Sequence, residues 1–254
     1  MPPSACPSAW PATTGSEQTD PTVAPAARAD EVTAPHRTRI KICGFTREAD
    51  VDAAVAAGAD ALGFNLYPKS ARFVPLARAR ELIARRPPFV TPVLLFVNAA
   101  PAEVQAAAAA VPHAVLQFHG DETPAECEAS GRAYLRAVRM GGPGSGHEVD
   151  LLDLAARHPG AQALLLDAPV EGYGGGGKVF DWSLIPSVVP CPVVLSGGLN
   201  PANVIDGVMH VRPWAVDVSS GVESAKGVKD AALMRRFCQS VREADDRIAA
   251  AAAR

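Results

Sequence analysis

The chain has 254 residues, 48% of them hydrophobic and 20% charged, which is an ordinary globular composition with ample material for a core. A formal net charge of -3 without a dense Lys/Arg run excludes the electrostatic footprint of a nucleic-acid or acidic-membrane binder, so any anionic partner must be recognised locally. Five scattered cysteines with no CxxC pair, no apolar run near the ~18 residues of a membrane span and no secretory-type N-terminus exclude a disulfide scaffold, a structural zinc site and a membrane protein, and a cytoplasmic setting is expected.

In chain order, residues 1–37 are rich in Pro, Ala, Ser and Thr and carry neither a helical nor a strand period. They are expected to be a disordered extension, leaving 38–254 as one catalytic domain. From Arg39 onward, short apolar runs alternate with Ala-rich amphipathic stretches, the pattern of βα units on a parallel sheet. Eight strand candidates start at Arg39, Ala59, Thr91, His113, Tyr134, Ala161, Cys191 and Trp214. Helices are predicted over 47–57 with Gly58 as the stop, over 76–85 ahead of Pro87, over 102–110 after Pro101, and from Asn200-Pro201 as N-cap and first helical position. Eight units without a central break predict a single α/β (β/α)8 barrel rather than a doubly wound open sheet. The Ala-rich stretch 248–253 reads as a fraying helix end.

In such a barrel the chemistry gathers where strands end and βα loops begin. The strand-end candidates are Cys43, Asn65, Asn98, His119, Arg139, Asp167, Ser196 and Ser219. The loops after strands seven and eight, with Gly197-Gly198 and Ser219-Ser220-Gly221, suit phosphate, because glycine lets backbone approach an anion and a short helix would aim N–H groups at it. As tight turns they would need no ligand. Cys43 taken alone packs as a small hydrophobe; to act it must ionise. Asp167 ends an apolar run, where a carboxyl with an elevated pKa suits a general acid, or else it caps a loop. The stretch 172–178, including Gly174 and Gly175, reads as a mobile lid or a plain glycine linker. Arg72 has the planar fork to grip a carboxylate, unless it is a solvated surface cation. His119 can donate in the pocket or be a structural histidine. One histidine and one carboxylate at strand ends do not supply a three-ligand catalytic metal site.

Together these residues resemble phosphoribosylanthranilate isomerase over roughly 39–245. The resemblance rests on Lys41-Ile42-Cys43-Gly44, Tyr67-Pro68-Lys69-Ser70 with Arg72, Phe96-Val97-Asn98, Gln117-Phe118-His119-Gly120, Leu165-Leu166-Asp167, Ser196-Gly197-Gly198-Leu199 and the run from Asp217 to Glu223 followed by Gly227-Val228-Lys229-Asp230. Two positions depart from the usual pattern: the lid reads Gly174-Gly175-Gly176-Gly177 where a threonine commonly occupies the third place, and Phe45 replaces the usual leucine after Cys43-Gly44. The resemblance implies a monomeric or homodimeric isomerase of tryptophan biosynthesis that acts on a small phosphorylated substrate with no metal and no organic cofactor. It implies Cys43 as base, Asp167 as acid, Arg72 on the substrate carboxylate, and His119, Gly174, Gly175, Gly197, Gly198, Ser219, Ser220 and Gly221 as substrate-binding positions. The competing expectation is a sugar-phosphate-binding barrel without catalysis.

Overall fold

The computed structural model describes residues 36–141, 149–168 and 179–253. Eight parallel strands close a barrel in sequence order: β1 (Arg39–Cys43), β2 (Ala61–Asn65), β3 (Thr91–Phe96), β4 (Val115–Phe118), β5 (Tyr134–Arg139), β6 (Ala161–Asp167), β7 (Val193–Leu195) and β8 (Ala215–Val218), with β8 pairing back onto β1. The helices are α1 (Glu48–Ala57), α2 (Leu76–Ile83), α3 (Pro101–Ala110), α4 (Pro124–Glu128), α5 (Leu151–Arg157), α6 (Val204–Val211) and α7 (Ala231–Ala252). None of the described helices is long and apolar enough to cross a membrane.

Strand alternation divides the core. In β1, Ile40 and Ile42 face outward into the main apolar layer under the helices, together with Leu62, Leu94, Leu116, Leu164 and Phe237. Lys41 and Cys43 belong to the other face, inside the barrel. There, Leu135, Ala137, Ala163, Leu165, Val194 and Ala215 form an apolar plug, and Leu95 and Val97 pack with Cys43 above it. Burying both faces explains why these strands read as continuous apolar runs.

Most predicted helices sit within one or two residues of their expected ends, α1 stopping at Gly58 in the left-handed region. One start is displaced. Asn200-Pro201 does not open a helix: Asn200 Oδ1 accepts from the Ala202 amide, Asn203 Oδ1 accepts from the Asn200 amide, and α6 begins at Val204. Two asparagines bonding the local backbone hold a turn where a capped helix was expected. The turn after β8 also differs from a plain helix start. A single 3-10 turn, Ser220–Val222, runs into a hairpin of β9 (Glu223–Ala225) and β10 (Val228–Lys229) before α7.

Candidate active site

The carboxyl end of the barrel opens into a small cavity of about 70 Å3 lined by Cys43, Arg72, Gln117, His119, Asp167, Ser196, Gly197, Gly198, Asp217, Ser219 and Ser220, among others. A larger cavity lies at the amino end, lined by Val93, Val115, Leu135, Val194 and Trp214. Its lining, which also includes Arg39, Lys41 and Asp60, holds none of the strand-end candidates, whereas the smaller one collects most of them.

Cys43, Asn65, Arg139 and Asp167 are the last residues of their strands; His119, Ser196 and Ser219 follow theirs by one residue and Asn98 by two. The barrel therefore brings together Cys43, His119, Asp167, Ser196 and Ser219. Arg139 lies 3.8 Å from Asp121, and Asn98 accepts from the Asp121 amide, so both serve loop contacts in the structure. Gly174 and Gly175 lie outside the described residues.

Cys43 is placed by backbone rules. Gly44 takes φ 88°, in the left-handed region, and a Cβ there would strike the Arg72 side chain. Glycine at this position lets the chain turn out of β1 while the stem of Arg72 crosses it. Ser219 Oγ donates to the Cys43 carbonyl at 2.9 Å, tying the first strand end to the last. The thiol is buried. Burial pushes its pKa up, Lys41 and Lys229 pull it down, and Asp217 adds to the rise.

Those charges form a buried network that sequence reading left without a role. Lys41 Nζ donates to Asp217 Oδ1 at 2.8 Å, the pair facing each other in the β1–β8 register. Burial works to lower the Lys41 pKa, but Asp217 and Cys43 outweigh it and the net direction is up, so Lys41 is a cation. Arg72 donates through Nε and Nη2 to the two oxygens of Glu223 at 2.7 and 2.8 Å. Lys229 Nζ donates to Glu223 Oε1 at 2.9 Å, to the Ser219 carbonyl at 3.0 Å and to Ser219 Oγ at 3.3 Å. Burial opposes the charge on Glu223, yet hydrogen bonding from Arg72 and the Lys229 charge hold its pKa below the usual value. Three cations thus meet two carboxylates in this network. Burial lowers the Lys229 pKa from its ordinary value of 10.5, with Glu223 and Cys43 opposing that shift.

The signals for these residues were faint but physical. Lys41 and Asp217 are charges on inward positions of apolar strands, and such charges are buried only when paired. Glu223 and Lys229 depend on a hairpin of three- and two-residue strands, too short to show a period. Arg72, expected to be open to a ligand, has one edge of its fork closed by Glu223 while the Nη1 side is unused by that pair.

Asp167 accepts from the Ala168 amide at 2.9 Å through Oδ1 and lies 3.0 Å from His119 Nε2 through Oδ2. Gln117 Nε2 lies 3.0 Å from the other ring nitrogen, Nδ1. His119 is therefore the neighbour of the carboxyl as well as a lining residue.

The two glycine-rich loops meet beside this pair. In the loop after β7, Gly197 has φ 79° and a Cβ there would strike the Ala168 amide next to Asp167. Asn203 Nδ2 donates to the Gly198 carbonyl at 3.0 Å and keeps that loop in shape. Replacing Gly197 with Ala is expected to spread the loop from Asp167 and weaken binding of a phosphorylated ligand by ~10-fold or more, read by isothermal titration with the reduced product analogue named below. Unchanged affinity would mean that the loop does not touch the ligand.

Residues 40–240 match the family described as N-(5'-phosphoribosyl)anthranilate (PRA) isomerase. An N-(5'-phosphoribosyl)anthranilate isomerase of Leptothrix cholodnii is 69% identical over 216 residues, covering 85% of this chain and 96% of that protein. The crystal structure of phosphoribosyl anthranilate isomerase from Thermotoga maritima superposes with a TM-score of 0.71 at 38% identity, covering 81% of this chain and 99% of that one. Another isomerase structure, in complex with reduced 1-(o-carboxyphenylamino)-1-deoxyribulose 5-phosphate, gives 0.67 at 33% identity with the same coverage. With a closed eight-stranded barrel, its polar cavity at the carboxyl end and relatives of this identity, the chain belongs to the N-(5'-phosphoribosyl)anthranilate isomerase family, enzymes of tryptophan biosynthesis.

Proposed function

We propose that the cavity binds N-(5'-phosphoribosyl)anthranilate and carries out its Amadori rearrangement with Asp167 as acid and Cys43 as base. The observation that supports this most is that the two side chains, from β6 and β1, line one cavity with the glycine-rich loops. Asp167 gives a proton to the furanose ring oxygen as the C1–O bond breaks, leaving an open-chain Schiff base. The Cys43 thiolate then takes the proton from C2, and the electron pair moves to form the enolamine. Proton uptake at C1 with loss of the enol proton gives 1-(2-carboxyphenylamino)-1-deoxyribulose 5-phosphate. The substrate phosphate is gripped by backbone N–H groups of the Gly197-Gly198 and Ser219-Ser220-Gly221 loops. Arg72 meets the anthranilate carboxylate with the Nη1 side of its fork, the other edge being held by Glu223.

The four described cysteines, Cys43, Cys127, Cys191 and Cys238, are all free thiols, which fits work in a reducing cytoplasm. The direct test is to add purified protein to fresh N-(5'-phosphoribosyl)anthranilate in buffer containing a metal chelator and follow the anthranilate-type fluorescence. Rapid decay is expected. Decay no faster than the spontaneous breakdown, or decay that needs added metal, would reject the proposal.

A further inference from the structure

Gln117 lies inside the barrel on β4, fully buried, two residues before His119. Its amide nitrogen can only donate, so the facing His119 Nδ1 carries no proton and the ring is the Nε2–H tautomer, which donates to Asp167 Oδ2. In this arrangement Gln117 Oε1 is buried without a hydrogen-bond partner. Turning the amide over places Oε1 against Nδ1. That nitrogen must then carry a ring proton, and for a neutral ring Nε2 becomes an acceptor that Asp167 meets as the protonated acid. The two amide orientations therefore match two proton states of one chain of three residues, differing by one proton on Asp167. In the orientation observed, no further group among the described residues bonds the amide oxygen.

We propose that Gln117 is a positioning residue for the reaction: through His119 it presents Asp167 either as proton-carrying acid or as the carboxylate left after the proton is given up. The inference rests on Asp167 being the acid. Other charges around the cavity are engaged elsewhere, Arg72 with Glu223 and Asp217 with Lys41, while Arg139, opposite Asp167 in the β5–β6 register, lies near Asp121. Among the described residues, His119 and the Ala168 amide hydrogen-bond the carboxyl. Gln117 touches no part of the reacting sugar in this scheme, and its effect passes through the ring.

The test uses the full chain labelled with 15N-histidine, the His119 signals being assigned by their loss in His119→Asn. At alkaline pH the two-bond nitrogen–proton correlations are expected to show the Nε2–H tautomer, and in Gln117→Glu, whose carboxylate can only accept, a proton on Nδ1. Gln117→Met is expected to lower kcat at least tenfold with KM changed less than threefold and affinity for the reduced product analogue retained. An Nδ1–H tautomer in the unaltered protein, or unchanged kcat in Gln117→Met, overturns the inference. If Gln117→Met does not fold, the tautomer of the unaltered protein still decides. Normal turnover in Asp167→Asn, by contrast, would reject the acid role itself and leave the tautomer result to stand or fall separately.

Discussion

Replacing Lys41 with Met is expected to cost ~3–5 kcal/mol of stability, because it leaves Asp217 charged, 6% exposed and without its cation. The cost comes from the orphaned partner rather than from the strength of the pair. Lys41→Met combined with Asp217→Asn should therefore recover a large part of it, and urea denaturation of both variants makes the comparison. The same substitution acts on chemistry. Burial already pushes the Cys43 thiol upward and Lys41 is the largest counterweight, so removing it moves the thiol further up and the alkaline rise of activity to higher pH. Alkylation of Cys43 by iodoacetamide against pH, followed by peptide mass, reads this without turnover. A pH profile identical to that of the unaltered protein would remove Lys41 from the account.

These pairs should not make stability depend on pH near neutrality. The Lys41 pKa is raised above its ordinary value of 10.5, so its contribution is complete below that pH and fades only as pH rises beyond it. The Glu223 pKa is lowered from 4.5, so its contribution is complete above that pH and fades as pH falls below it. Between those limits Lys41 and Glu223 keep their charges, while Lys229, whose pKa burial lowers from 10.5, is the lysine of the network that gives up its proton first as pH rises.

The second large effect falls on catalysis. Cys43→Ala and Asp167→Asn are each expected to lower kcat by ~10^2–10^4, the usual worth of a positioned acid or base. Their causes differ. Alanine removes the group assigned to take the C2 proton, whereas asparagine keeps the size and an acceptor for the Ala168 amide but turns an NH2 toward His119 and has no acid proton to give. Affinity for the reduced product should remain in both, since Arg72 and the loops are untouched. The double variant should be little worse than either single one, because one missing transfer already stops the sequence. Steady-state fluorescence assays on the three proteins check this, and near-normal turnover in either single variant would contradict the roles given.

The barrel was legible because every strand is buried on both faces and every helix is amphipathic or well punctuated. Gly58 and Pro101 announced the end of α1 and the start of α3, and both stand at those positions. Asn200-Pro201 misled because asparagine bonds a turn as readily as it caps a helix. Cys43 and Asp167 were found by their place at strand ends, a positional argument that needs no contacts. Glu223 and Lys229 escaped it because they sit on a hairpin outside the eight strands. Gln117 stood in the motif beside His119, but a buried amide announces no chemistry until its partners and its unpaired oxygen are visible.

The most direct measurement is shielding of Cys43. The full chain is treated with iodoacetamide with and without saturating reduced 1-(o-carboxyphenylamino)-1-deoxyribulose 5-phosphate, and each cysteine is quantified by peptide mass. Alkylation of Cys43 is expected to slow by at least ~10-fold while half-buried Cys191, which does not line the cavity, reacts as before. Equal labelling of Cys43 in both samples would show that the ligand does not sit against the thiol.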